Sequence, residues 1–171
     1  IIHVLRCFDD DNIIHVDGSV DPIRDKEVID FELQLKDLDT VEKRIKSIAR
    51  TAKSGDKKAV KEYEMLEKIT AILESGQSAR VYEVASEDEQ EALSALCLIT
   101  TKPVLYLCNV DENSAKDGNE YSNKVKEAVK DENAEVLIIG TQIESEIAEM
   151  DTFEDRQMFL EEIGLTEPGV N

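Results

Sequence analysis

Apolar and polar positions along the chain change period several times, and each change marks an element. Residues 1–8 (Ile1-Ile2-His3-Val4-Leu5-Arg6-Cys7-Phe8), 103–108 and 135–139 form short, nearly continuous apolar runs. Runs of this length are the pattern of strands buried on both faces. Between them the apolar positions follow a helical period. Leu38, Val41, Ile45, Ile48 and Ala52 step by 3 and 4 residues, as in a coiled-coil seam. Ser54-Gly55-Asp56 breaks that helix, and Val60, Tyr63, Leu66, Ile69 and Leu73 form a second stripe that ends at Ser75-Gly76. The two stripes predict an antiparallel helical hairpin. Asp21-Pro22 predicts a helix start with an Asp cap and Pro in the first turn, the helix ending near Glu32. Residues 79–84 read as extended, Ser86-Glu87-Asp88-Glu89 as a capping box for a helix reaching Leu96, and 119–131 as a helix with Tyr121, Val125, Ala128 and Val129 inward. Apolar strands alternating with amphipathic helices predict an α/β fold: a parallel sheet with helices on both faces, carrying an inserted helical hairpin. In such sheets ligands bind beyond the carboxyl ends of the strands, which directs attention to Asn109 and to Gly140-Thr141-Gln142.

Composition narrows the class. The chain has 171 residues, 41% apolar and 35% charged, which suits one globular domain, or one domain carrying an insertion, and excludes a disordered chain. No apolar stretch approaches the roughly 20 residues of a membrane helix, and a cytoplasmic location is expected. Cys7, Cys97 and Cys108 are odd in number, lie in apolar runs and lack C-x-x-C spacing, so buried reduced thiols are expected rather than disulfides or zinc ligands. His3 and His15 are too few for a metal cluster.

Charge is unevenly placed. The net charge of −19 disfavours nucleic acid on average. Residues 43–61, however, hold Lys43, Arg44, Lys46, Arg50, Lys53, Lys57, Lys58 and Lys61 against Asp56 alone, a net +7 that leaves −26 elsewhere. The basic stretch falls near the hairpin tip. It is either a solvated helix face or an arm for RNA phosphates or an acidic partner.

Asn109-Val110-Asp111-Glu112 follows the apolar run ending at Cys108. Guanine-specific G proteins end the corresponding strand in N-K-x-D; here the pattern is N-x-x-E, with Val110 at the Lys position and Glu112 at the Asp position. An ionised Asp suits the two N–H donors of guanine, whereas adenine offers a donor beside a bare ring acceptor. Glu is one methylene longer and cannot occupy the same point. An Asn amide can still pair with a purine Hoogsteen edge. The motif therefore reads purine and leans towards adenine.

The residues 6–22, Arg6-Cys7-Phe8-Asp9-Asp10-Asp11-Asn12-Ile13-Ile14-His15-Val16-Asp17-Gly18-Ser19-Val20-Asp21-Pro22, resemble the signature after the fourth strand in the YchF/Obg-like ATPase family, a group of P-loop G proteins. The resemblance continues through the lysine-rich hairpin, the N-x-x-E strand end, residues 143–149 and the closing residues 164–169. It implies a partial P-loop G domain at 1–33 and 101–150, an inserted hairpin domain at 34–100, and a helix and linker at 151–171 leading towards a TGS domain. It implies a base site of Asn109, Val110 and Glu112, with Gly140, Thr141 and Gln142 replacing the usual small-residue loop, and Phe8 where an aromatic shields the purine. The implied cofactor is ATP, or GTP, with Mg2+, and the implied partner is the ribosome, met through the basic hairpin. The implied activity is nucleoside triphosphate hydrolysis. No G-x-x-x-x-G-K-[ST] occurs and residue 1 already lies in a strand-like run, so the sequence reads as a piece of a longer protein, expected to be inactive alone and with no catalytic residue or metal ligand assigned. Two alternatives stand beside this reading: an interaction module acting through the hairpin, and a guanine-specific GTPase.

Overall fold

The computed structural model describes residues 1–10, 12 and 18–169, which divide into two compact units, residues 1–26 with 104–171 and residues 27–103. Asp11, the segment 13–17 with His15, and residues 170–171 lie outside the described residues.

In the first unit, β1 (Ile2–Arg6), β2 (Leu105–Asn109) and β3 (Glu135–Ile139) form a parallel sheet in that order among the described residues. The register aligns Arg6, Asn109 and Ile139, so three strand ends finish at one level. Alternation puts Leu5, Val104, Tyr106 and Cys108 on a buried face against Val125 and Val129 of α4 (Glu120–Val129). On the opposite face of β1, Ile2 and Val4 are exposed. Ser122 rather than Ala128 completes the inward face of α4: Ser122, Val125 and Val129 share one helical stripe, and Ala128 lies off it and is exposed. After β3 come α5 (Thr141–Glu149) and α6 (Phe153–Glu162), packed through Ile143, Ile147 and Leu160. The helix α1 (Pro22–Lys53) begins in this unit, capped by the Asp21 carboxylate, which accepts from the Ile23 and Arg24 amides at 3.1 and 3.2 Å. The buried Lys26 reaches Glu132 at 2.7 Å, and Glu132 also accepts from the Tyr106 hydroxyl at 2.6 Å.

The expected stop near Glu32 does not occur: α1 runs unbroken for 32 residues, about 48 Å. The reason is the sequence itself, since no Gly or Pro lies between Pro22 and Gly55. In the second unit α1 pairs with α2 (Lys57–Glu74). Gln34 donates to the Gly76 carbonyl near one end of the pair, and Arg44 bonds Glu62 further along, so the helices run antiparallel. Gly55, at φ +87°, makes the turn in a left-handed conformation, and Asp56 caps α2 by accepting from the Ala59 amide at 2.9 Å. Val41, Ile48, Met65, Leu66, Ile69 and Leu73 fill the seam.

Residues 79–84 are not a strand: a 3-10 turn occupies Ala79–Val81, with irregular chain after it. The backbone amides of Ala79 and Arg80 are taken by Thr100, as Oγ1 and carbonyl respectively, which leaves no ladder to join. The capping box at Ser86 forms in part. Ser86 Oγ accepts from the Glu89 amide, opening α3 (Glu87–Leu96), while the Glu89 carboxylate takes the Ala85 amide and the Tyr82 hydroxyl instead. The expectation that all three cysteines are buried holds for Cys7 and Cys108 and fails for Cys97, which is exposed. Cys97 caps α3 at φ 52°, and that left-handed step turns its side chain outward from an apolar run. Asp37, also buried, accepts from the amides of Ile99 and Thr100 and from the Thr100 hydroxyl at 2.8, 2.7 and 2.7 Å.

Candidate functional site

The carboxyl ends of the three parallel strands bring together most of the residues that the sequence singled out. Asn109 ends β2 half-buried. Its backbone carbonyl accepts from the Cys7 amide at 2.7 Å, and the next amide, Val110, donates to the Ile139 carbonyl at 2.9 Å. Asn109 is thereby held from both flanks. Its side-chain Oδ1 accepts from the Thr141 amide at 3.1 Å. Thr141 is the first residue of α5, and the preceding Gly140 has no side chain with which to cap it. Asn109 therefore supplies, from a neighbouring strand, the acceptor that an N-terminal helix amide lacks.

This contact also fixes the amide's orientation. Thr141 offers only an N–H there, so the atom facing it must be the oxygen, and the Nδ2 donors are left without a partner among the described residues. A free N–H2 at the strand end is a donor for a ring nitrogen acceptor.

The other residues of the motif play different parts. Val110 is 3% exposed and packs in the core with Leu5, Cys108 and Val125, so it presents no polar group. Asp111 accepts from the Ser114 hydroxyl at 2.9 Å, which holds the 3-10 turn Glu112–Ser114. Glu112 is exposed, with its carboxylate unpartnered among the described residues. Of the two acids, it is the one available to a ligand.

Gly140 is buried, and a Cβ added there would lie 3.3 Å from both Ala115 Cβ and Ile143 Cδ1. The loop after β3 thus approaches the turn after β2 so closely that a side chain there would need Ala115 or Ile143 to give by a few tenths of an ångström. Gln142 is turned along its own helix, donating to Glu146 at 3.3 Å. Phe8 is half-buried beneath the Arg6 guanidinium, whose carbon lies 4.9 Å from the ring centre, and Arg6 Nε donates to the Phe8 carbonyl at 3.0 Å. These contacts tie Phe8 to its own strand rather than to the Asn109–Thr141 pair.

Sequence reading passed over Asn119. This residue caps α4 in a reciprocal box with Ser122 and also donates Nδ2 to the Cys7 carbonyl at 2.6 Å. It thereby ties the end of β1 to the helix after β2. The N-x-x-S pattern ahead of the α4 stripe was the available signal, although nothing local announces the bond to Cys7. Hydrogen bonding to Cys108, then burial, pushes the Cys7 thiol far up, so it stays protonated beneath the site. Among the described residues, no group of three His, Cys, Asp or Glu is placed to hold a metal ion, and no helix is long and apolar enough to cross a membrane.

The basic arm is less uniform than its sequence. Lys43 pairs with Asp39 at 2.7 Å, Lys46 with Glu42 at 3.2 Å, and Arg44 grips Glu62 through two bonds of 2.6 and 3.0 Å. Arg50, Lys53, Lys57, Lys58 and Lys61 carry no ion pair or side-chain hydrogen bond among the described residues. The free cations thus flank the Ser54-Gly55-Asp56 turn.

Comparison with known proteins places these features among relatives. The chain is 49% identical over 173 aligned residues to the "Ribosome-binding ATPase YchF" of Bacillus subtilis, matching 100% of this chain and 47% of that protein. It is 37% identical to the "Obg-like ATPase 1" of Rattus norvegicus over 94% of this chain and 42% of that protein. A solved structure, the YchF GTPase of Schizosaccharomyces pombe, superposes with a TM-score of 0.84 at 29% identity, over 97% of this chain and 46% of that one. No protein-family model matches. The chain spans about half the length of the relatives it matches.

Proposed function

The chain belongs to the YchF/Obg-like ATPase family, and from that premise we propose that it carries the base-reading part of a cytoplasmic, ribosome-associated nucleoside triphosphatase that prefers ATP. In this reading residues 1–33 and 101–150 belong to the nucleotide domain, 34–100 to the inserted hairpin, and 151–171 lead onward to a TGS domain. The observation that carries it is Asn109, with Oδ1 committed to the Thr141 amide and its N–H2 free. The free group donates to the purine ring nitrogen of the Hoogsteen edge, which adenine and guanine share. Discrimination then falls to Glu112, whose longer carboxylate does not take the place of the Asp that grips guanine. Gly140 and Thr141 supply a narrow backbone wall, and Phe8 and Gln142 border the site. Bound Mg2+-nucleotide would supply the phosphoryl group for hydrolysis, while this chain's residues bind and orient the base. Competition between ATP and GTP for the complete gene product tests the assignment: ATP displaced only by ATP supports it, and preferential displacement by GTP overturns it in favour of a guanine-specific site.

The unpaired cations beside the hairpin turn support the ribosomal partner as well. In this reading Arg50, Lys53 and Lys57 meet RNA phosphates, each neutralised phosphate adding to the salt dependence. Reversing these three to Glu in the complete gene product lowers ribosome association in a sedimentation assay and flattens its dependence on salt. Unchanged association would remove the arm from the contact.

A further inference from the structure

We propose that the flank of the hairpin, in the unit formed by residues 27–103, holds a docking pocket for a protein segment that carries an apolar side chain between an acidic and a basic one. A hollow of about 310 Å3 lies where α1, α2 and α3 meet, floored by Ala92, Ala95 and Leu96. The charged groups around it divide into those already engaged and those left over. Arg44 is held by Glu62 on both carboxylate oxygens, and Glu89 by the Tyr82 hydroxyl and the Ala85 amide. Left over are Lys58 and Lys61 on α2, and Asp88 and Glu91 on α3, none with an ion pair or side-chain hydrogen bond among the described residues. Each pair is spaced three apart, so each presents two like charges on one helix face.

The occupant follows from that division. A hollow with two free cations on one wall, two free anions on the other and a small-residue floor complements a segment with both signs of charge around one aliphatic or aromatic side chain. A nucleic acid does not fit, because a phosphate drawn to Lys58 and Lys61 would face the carboxylates of Asp88, Glu89 and Glu91. The volume lies at the lower end of the roughly 300–1,000 Å3 typical of ligand pockets, enough for one anchoring side chain. The proposal is independent of the nucleotide reading and separates two uses of one arm: cations beside the turn for RNA, and the pocket on its flank for a protein.

The test uses fluorescein-labelled peptides carrying Glu, Leu and Lys on successive helical turns, titrated into the complete gene product and read by anisotropy. Burying the Leu should favour this peptide over its Leu-to-Ala control by roughly tenfold or more. Ala95→Trp, at an exposed helix position, fills the floor and should abolish the preference while ribosome association persists. The pair Lys58→Glu and Lys61→Glu should move the preference to a peptide with Lys in place of its Glu. The absence of any preference, indifference to Ala95→Trp, or displacement of the peptide by a single-stranded RNA oligonucleotide would each overturn the proposal.

Discussion

Asn109 has two jobs, and one substitution separates them. Its oxygen caps α5 through Thr141, and in the proposed function its N–H2 reads the purine. Asn109→Asp keeps an oxygen for the Thr141 amide and adds negative charge at a helix N-terminus, where the macrodipole favours it. The folded chain should therefore be as stable as the wild type, or more stable by a few tenths of a kcal/mol. The base contact, however, is reversed: a carboxylate has no proton to donate, and its lone pairs face the ring nitrogen. Losing the net worth of the hydrogen bond, about 0.5–1.5 kcal/mol, and leaving an unpaired acceptor, about 1–3 kcal/mol, together weaken binding by about 1.5–4.5 kcal/mol. This corresponds to roughly 10- to 2,000-fold in Kd.

Asn109→Ala is the complementary case. It removes the α5 cap, costing about 1 kcal/mol of stability, together with the base contact. Binding of a fluorescent ATP analogue to the complete gene product and urea unfolding of the same samples give the two readouts. The reasoning requires Asp to weaken binding at least as much as Ala does while preserving stability. An Asp variant that binds ATP like the wild type would refute the assignment of the free amide donor to the base.

Further consequences concern the rest of the chain. Asp37→Asn leaves one oxygen where three donors converge on a carboxylate and adds an N–H2 to a site full of donors, so urea unfolding should show a loss of roughly 3–5 kcal/mol. Gly140→Ala brings a methyl within 3.3 Å of Ala115 and Ile143; it should cost about 1–3 kcal/mol and weaken nucleotide binding by shifting the Thr141 amide away from Asn109. For Tyr82 and Glu89 the consequence is a pH window. Burial, then the bond to Glu89, pushes the Tyr82 hydroxyl up to about 12 from 10.0, so its contribution is complete below pH 10.0 and lost as pH rises through about 12. The Ala85 amide, then Tyr82, hold the Glu89 carboxyl below its ordinary 4.5, so its contribution is complete above that value and lost as pH falls through the lower folded value. The stability difference between wild type and Tyr82→Phe should therefore be flat between these limits and shrink at both ends in pH-dependent urea unfolding; a difference that grows in acid would contradict the pairing.

The sequence was most informative where an element's cause is local. Residues 135–139 form a strand over those same residues, because the four-residue apolar run Val136–Ile139, entered at Glu135 and ended by Gly140, leaves little choice. The turn at Ser54-Gly55-Asp56 was equally legible, since its Gly conformation and Asp cap act within four residues. Legibility fell off where partners are distant. Asp37 sits in a densely charged helix as one more charge, and its burial becomes intelligible only with the turn 62 and 63 residues later that it holds. The end of α1 is a different case: the stretch after Glu32 has no Gly or Pro to stop a helix, so the helix opened at Asp21-Pro22 and the first stripe of the hairpin are one element.

Asn109 lies between these cases, which explains why its motif was visible and its geometry was not. The residue type at a strand end could be read, but the direction of its amide depends on Thr141, 32 residues away. That dependence constrains substitution. Any residue that reads the base at this position must also accept a hydrogen bond from the first amide of α5, because Gly140 has no side chain with which to cap that helix itself. Gln, with the same amide one methylene further out, should fail in both roles, whereas Asp should fail in one. The bare Gly140 and the choice of Asn at 109 are therefore a single constraint, and Gly140→Ser, which supplies its own cap, should make Asn109→Ala less destabilising than it is beside glycine.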